Sequence, residues 1–144
     1  MPGVDIGEFQ WSPDSKHIAF TYRDEKRGKW ALGIVNIETK ERNFLDVFSP
    51  YDYAGFSFSP NGKLIAYCKP LKWKLMAEWY NTDAEVFIIN IDGTDRTQIT
   101  KTEAVEYMIR WCEDGKRLIV RQLPPDPSIM SYPEYVTIVL KKEK

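Results

Sequence analysis

Apolar residues occur along this chain in short blocks separated by polar turns, and one block–turn–block phrase appears three times. Trp11-Ser-Pro-Asp-Ser-Lys-His-Ile-Ala-Phe20 returns as Phe58-Ser-Pro-Asn-Gly-Lys-Leu-Ile-Ala-Tyr67, then as Trp111-Cys-Glu-Asp-Gly-Lys-Arg-Leu-Ile-Val120. Self-similarity at such a spacing means stacked supersecondary units rather than one irregular domain. The polar centre of each phrase is a tight turn. Pro13 and Pro60 pre-set φ, Asp14 and Asn61 bond the nearby backbone, and Gly62 and Gly115 accept positive φ. Strands are predicted after the turns at His17–Arg23, Leu64–Lys69 and Arg117–Leu123. Third strands follow at Leu32–Glu38, Val86–Asp92 and Tyr135–Lys141. Fourth strands fit Arg42–Val47 and Arg96–Thr100, and the first strand of the first unit begins near Gly7. The pattern predicts an all-β chain of eleven strands in four-stranded antiparallel meanders.

These strands are apolar on both faces, as in Ile18-Ala-Phe20, Ile65-Ala-Tyr67 and Phe87-Ile-Ile89. A sheet with one solvated face would alternate apolar and polar residues. Sheets stacked face to face around an axis would not, and a β-propeller makes that demand of its blades. The rings of Trp11, Phe58 and Trp111 are then expected to fill the wedges between blades. The phrase resembles the repeat of TolB-type (WD40-like) β-propellers. Val86-Phe-Ile-Ile-Asn-Ile-Asp-Gly-Thr-Asp-Arg-Thr-Gln-Ile-Thr100 is similar to the outer hairpin of that family, with its Asp-Gly turn. The resemblance covers nearly the whole chain. It implies a propeller, often six-bladed, used for protein binding or as an accessory to a catalytic domain. It carries over no catalytic residue, because the repeat motif is structural.

The phrases divide the chain into one arc of three blades, at about 6–47, 53–100 and 105–141, the last without its outer strand. Three blades do not close a ring. An open arc leaves an apolar face at each end, which monomers rarely expose. Two chains closing a six-bladed ring about a two-fold axis would cover both faces. The alternative is a fragment of a longer propeller.

Composition narrows the function. The chain has 144 residues, 43% of them hydrophobic, and a net charge of −1. That charge gives no case for a nucleic-acid partner, and no apolar run is long enough for a membrane span. The N-terminus has no secretory pattern, which favours the cytoplasm unless a leader has been removed. Cys68 and Cys112 fall at non-equivalent repeat positions and are expected to be unpaired thiols. Two cysteines and one histidine make no metal set, so neither a metal nor a cofactor is expected. There is no Gly-x-Ser-x-Gly and no glycine-rich phosphate loop. The residues therefore argue for a non-enzymatic module.

Two groups of residues are candidates for binding. The connections between second and third strands, and between units, gather at one end of a propeller. They bring Tyr51, Tyr53, Trp73, Trp79, Tyr80 and Tyr132 to one loop face. Tyr and Trp are common binding anchors, suited to a protein or peptide. The same rings could instead pack the long loops down, and Leu71–Tyr80 could form a helical turn over the blade edge. Innermost strands line the channel of a propeller, which assigns Glu8, Gln10, Ser57, Glu106 and Arg110 to a channel able to hold a small polar ligand or water. The expected function is protein or peptide binding through the loop face. An accessory propeller of a prolyl-oligopeptidase-like hydrolase, or a small-ligand propeller, is the alternative.

Overall fold

The computed structural model describes residues 4–49, 55–75, 79–123 and 134–141. They form eleven strands and no helix. Strands β1 (Ile6–Trp11), β2 (His17–Asp24), β3 (Lys29–Asn36) and β4 (Arg42–Val47) make one antiparallel meander in that order. β5 (Phe56–Phe58), β6 (Leu64–Leu75), β7 (Trp79–Asn90) and β8 (Thr97–Gln98) make a second. β9 (Val105–Trp111), β10 (Arg117–Leu123) and β11 (Glu134–Val139) make a third. A single parallel pairing, Ala84 with Val105, joins the second meander to the third.

The repeated phrase builds the same turn each time. In the first, Ser12 Oγ donates to Asp14 Oδ1 (2.6 Å) and accepts from His17 N (2.9 Å). In the second, Ser59 Oγ donates to Asn61 Oδ1 (2.8 Å) and accepts from Leu64 N (3.0 Å). In the third, Cys112 replaces the serine, and Arg117 N turns to Asp114 Oδ1 instead (3.2 Å). The fifth residue of each phrase is left-handed: Ser15 at φ 59°, Gly62 at 70° and Gly115 at 66°.

Strand alternation sorts the core. Ile65, Tyr67, Phe87 and Ile89 of the second meander pack toward the first, on Ala19, Leu32, Ile34 and Leu45. The residues between them, Ala66, Cys68, Val86 and the partly buried Ile88, pack toward the third, on Ile109, Leu118 and Val120. The central meander is therefore buried on both faces, which explains its lack of polar alternation. Burying each large apolar side chain, such as the fully buried Phe56, contributes roughly 1.5–3 kcal/mol. Phe58 and Trp111 lie in the two inter-sheet clusters. Trp11 differs. It is exposed on the outer face of the first meander, where no strand among the described residues packs.

The structure corrects the expected helical turn at 71–80. β6 and β7 extend to twelve residues each and pair out to Leu75 with Trp79. Two register shifts, on either side of Lys72, accommodate the extra length. An ion pair, Lys72 Nζ to Asp83 Oδ2 at 3.2 Å, spans the arm. Strand pairing satisfies the backbone of this segment without needing a surface to lie on. Trp73, Trp79 and Tyr80 thus belong to the far end of a β-hairpin arm.

Candidate functional site

The innermost strands of the three meanders, β1, β5 and β9, enclose a half-open cavity of about 590 Å³. Gly55 N donates to Tyr107 O at 3.1 Å, and Trp111 N donates to Ser57 Oγ at 3.2 Å. A Cβ on Gly55 would stand 3.3 Å from that carbonyl, so glycine lets the two strands approach.

Four of the five channel candidates, Glu8, Gln10, Ser57 and Arg110, line this cavity. Thr21 Oγ1 accepts from Glu8 N (2.8 Å), which fixes the backbone at Glu8. Gln10 Nε2 donates both to Glu8 Oε1 (3.0 Å) and to Phe56 O (2.6 Å). The carboxylate is thereby held in place and keeps acceptor capacity. Arg110 is exposed. A guanidinium offers a fork of donors suited to a carboxylate, while Glu8 suits an ammonium or amide N–H. The cavity can thus take a polar ligand bearing both kinds of group.

Glu106 does not line the cavity. It is fully buried, and its Oε1 accepts from Thr102 Oγ1 and Gln122 Nε2, both at 2.9 Å. A β-bulge between the Arg121–Met108 and Gln122–Glu106 pairs re-aims it, an irregularity that simple alternation does not foresee. Its Oε2 has no partner among the described residues. Burial, more than any other influence, pushes its carboxyl above the ordinary range, and nearby Glu85 adds to this. Glu85 is itself buried, accepting from Thr102 N at 2.7 Å and from Thr100 Oγ1. Burial likewise raises the Cys68 thiol well above its usual value. Cys68 and Cys112 are both unpaired.

Among the loop-face candidates, Trp73, Trp79 and Tyr80 are placed on the hairpin arm, in pairing with Asn81, Leu75 and Lys74 respectively. Tyr51, Tyr53 and Tyr132 lie outside the described residues. Sequence reasoning missed a polar cluster joining the first two meanders. Asp46 on β4, only 4% exposed, accepts from Tyr67 Oη (2.7 Å), Lys69 Nζ (2.8 Å) and Arg96 Nη1 (3.1 Å). Burial opposes its charge, but the hydrogen bonds from Lys69 and Tyr67 prevail and hold its carboxyl below the ordinary range. Tyr67 is pushed far up, by burial first and then by Asp46. Every partner is satisfied, so this cluster is a clamp between sheets. The only hint in sequence was a charged residue inside the apolar run Phe44-Leu-Asp-Val47. Among the described residues no group of three or more His, Cys, Asp or Glu side chains could hold a metal.

Comparison with known proteins places the architecture. TolB from Acinetobacter baumannii superposes with a TM-score of 0.66 at 19% identity, over 96% of this chain and 31% of that one. A putative TolB from Agrobacterium tumefaciens gives 0.72 at 12% identity, over 96% of this chain and 47% of that one. The fold is a TolB-type β-propeller. No family model matches. Dipeptidyl-peptidase 5 of Porphyromonas gingivalis is 37% identical over 62 residues, which are 43% of this chain and 9% of that protein. The same-named protein of Porphyromonas endodontalis is 36% identical over 64 residues, again 9% of its length. A prolyl endopeptidase structure gives a TM-score of 0.67 at 17% identity, over 98% of this chain and 21% of that one.

These matches correct the expectation of a non-enzymatic module. The similarity in sequence is to stretches of two peptidases, over 43% and 44% of this chain and 9% of theirs. The inference from missing catalytic motifs failed for a physical reason. Propeller repeats are made of turn-formers and sheet-fillers, and they read the same whether or not an enzyme carries them.

Proposed function

We propose that this chain is a peptide-recognising propeller segment of a peptidase-related protein. One observation carries the reading: the 62-residue match to dipeptidyl-peptidase 5, within a chain that superposes on a prolyl endopeptidase over almost its full length. The cavity lined by Glu8, Gln10, Ser57 and Arg110 supports it. Opposite charges on one concave wall suit the alternating donors and acceptors of a peptide and its charged ends. The hairpin arm that carries Trp73, Trp79 and Tyr80 supplies aromatic residues to this reading. In this reading the chain holds and orients the peptide, and its own residues are assigned no bond-breaking step.

The test is fluorescence anisotropy with a library of labelled short peptides carrying free carboxylates. The strongest binder should lose about tenfold in affinity with Arg110→Ala, an effect of one charge-assisted contact worth about 1.4 kcal/mol. Trp79→Ala combined with Tyr80→Ala should weaken it at least as much while thermal unfolding stays within a few degrees. Binding unmoved by both sets of substitutions would overturn the proposal.

A further inference from the structure

The two junctions between sheets treat buried carboxyls in opposite ways. Between the first and second meanders, Asp46 accepts from a phenol, an ammonium and a guanidinium, which favour its ionised form. Between the second and third, the strand pairing among the described residues is Ala84 with Val105. The residues that follow these two, Glu85 and Glu106, are both acidic and both buried, at 2% and 0% exposure. One residue holds the two carboxyls together. Thr102 donates its backbone N–H to Glu85 Oε1 at 2.7 Å and its hydroxyl to Glu106 Oε1 at 2.9 Å.

Among the described residues no cation pairs with either carboxyl. Lys69 stands opposite Glu85 in the strand register, but its ammonium goes to Asp46. Asp83, two residues before Glu85 on β7, takes Lys72. Arg121, beside Gln122 on β10, has its guanidinium over the Tyr107 and Tyr135 rings. Lys101 and Glu103, on either side of Thr102, are exposed. Cys68 on β6 is kept protonated by burial first and by the charge of Glu106 second. Glu106 Oε2 is enclosed and has no partner among the described residues. A buried ion without a counter-ion is costly, and a like charge nearby adds to the cost. A proton on Glu106 removes both costs.

We propose that Glu85 and Glu106 form a proton-operated latch on the third meander. With Glu106 neutral, the third sheet stays docked on the second. With Glu106 ionised, two buried like charges bear on the Ala84–Val105 pairing, and the dock loosens. Cys68 reports the change, because it is 0% exposed and packs with Ile109, Leu118 and Val120 of the third meander. The latch also bears on the cavity, whose wall includes residues 107–111 of β9. It requires no ligand, and so stands apart from peptide recognition. The folded Glu106 carboxyl is held above its ordinary value. Docking is therefore firmest below the unfolded-chain value of about 4.3 and weakens as pH rises, until the folded value is passed.

Thiol labelling tests the latch. Cys112→Ser, which installs the serine of the other two phrases, leaves Cys68 as the single thiol. Its labelling by a dipyridyl disulfide, which reacts with thiols even in mild acid, is followed from about pH 4 to about pH 8. The rate for the same chain in urea at each pH serves as the reference, and the ratio gives the protection of Cys68. Protection should fall by up to about tenfold per pH unit above pH 4.3 and then level off. Adding Glu106→Gln should abolish this fall and keep Cys68 protected throughout. Adding Glu85→Gln instead should make the fall smaller and end it at lower pH, since Glu106 then ionises without a like charge beside it. Protection that does not change with pH in the chain with both glutamates would overturn the proposal. So would a fall that persists unchanged in Glu106→Gln, because another group would then control the dock. Loss of protection at every pH in Glu106→Gln would count equally against it, since a neutral side chain of the same shape must keep the latch closed.

Discussion

Asp46→Asn tests whether the clamp between the first two sheets holds them together. Asp46 is 4% exposed and receives hydrogen bonds from Tyr67, Lys69 and Arg96. Lys69 is 15% exposed and Arg96 49%. Removing one member of a buried, hydrogen-bonded charge pair costs about 3–5 kcal/mol. Asparagine keeps one acceptor oxygen, and Arg96 recovers water, so the expected loss is about 2–3 kcal/mol. Arg96→Ala, which removes the half-exposed partner, should cost under about 1 kcal/mol. The pH dependence is the sharper readout. The folded Asp46 carboxyl is held below its ordinary value. Its stabilisation is therefore complete above the unfolded-chain value of about 3.9 and fades as pH falls through the lower folded value. Urea unfolding of native and Asp46→Asn chains at pH 7 should differ by the full amount, and below pH 3 the gap should narrow. A gap under about 1 kcal/mol at pH 7, or one that persists unchanged at low pH, would refute the clamp as an ionic device.

Two further substitutions probe other links between sequence and stability. Glu106→Gln should stabilise the protein at pH 7.5, because it removes a buried charge while an amide oxygen can still accept from Thr102 Oγ1 and Gln122 Nε2. Because the folded Glu106 carboxyl is held above its ordinary value, the gain should vanish near pH 4, where the unfolded chain also binds the proton; urea titrations at both pH values check this. Ser15→Gly should stabilise by about 0.5 kcal/mol, the relief of a left-handed serine less the extra chain entropy of glycine, and Gly62→Ser should have the opposite sign in the same thermal scan.

The sequence by itself determined the propeller class. The thrice-written phrase encodes a serine or cysteine, a carboxylate or amide two residues on, and a left-handed fifth residue. Those are local instructions, and a turn obeys them wherever it sits. Apolar residues on both faces of Ile65–Tyr67 also announced stacked sheets, because such strands have no side to give to water. The hairpin arm at 64–90 was not legible. Its lysines and tryptophans at mixed spacings suit a helix or a strand, and the long-range pairing of Leu75 with Trp79 through Leu64 with Asn90 decided between them. Tertiary structure alone decided the fate of Glu106 and Asp46. One was taken out of the cavity by a bulge, and the other was made a junction by residues 21 to 50 positions away in the chain. Burial and partners of a charge depend on which strands stack, and the periodicity of a strand carries no record of its neighbours across the stack.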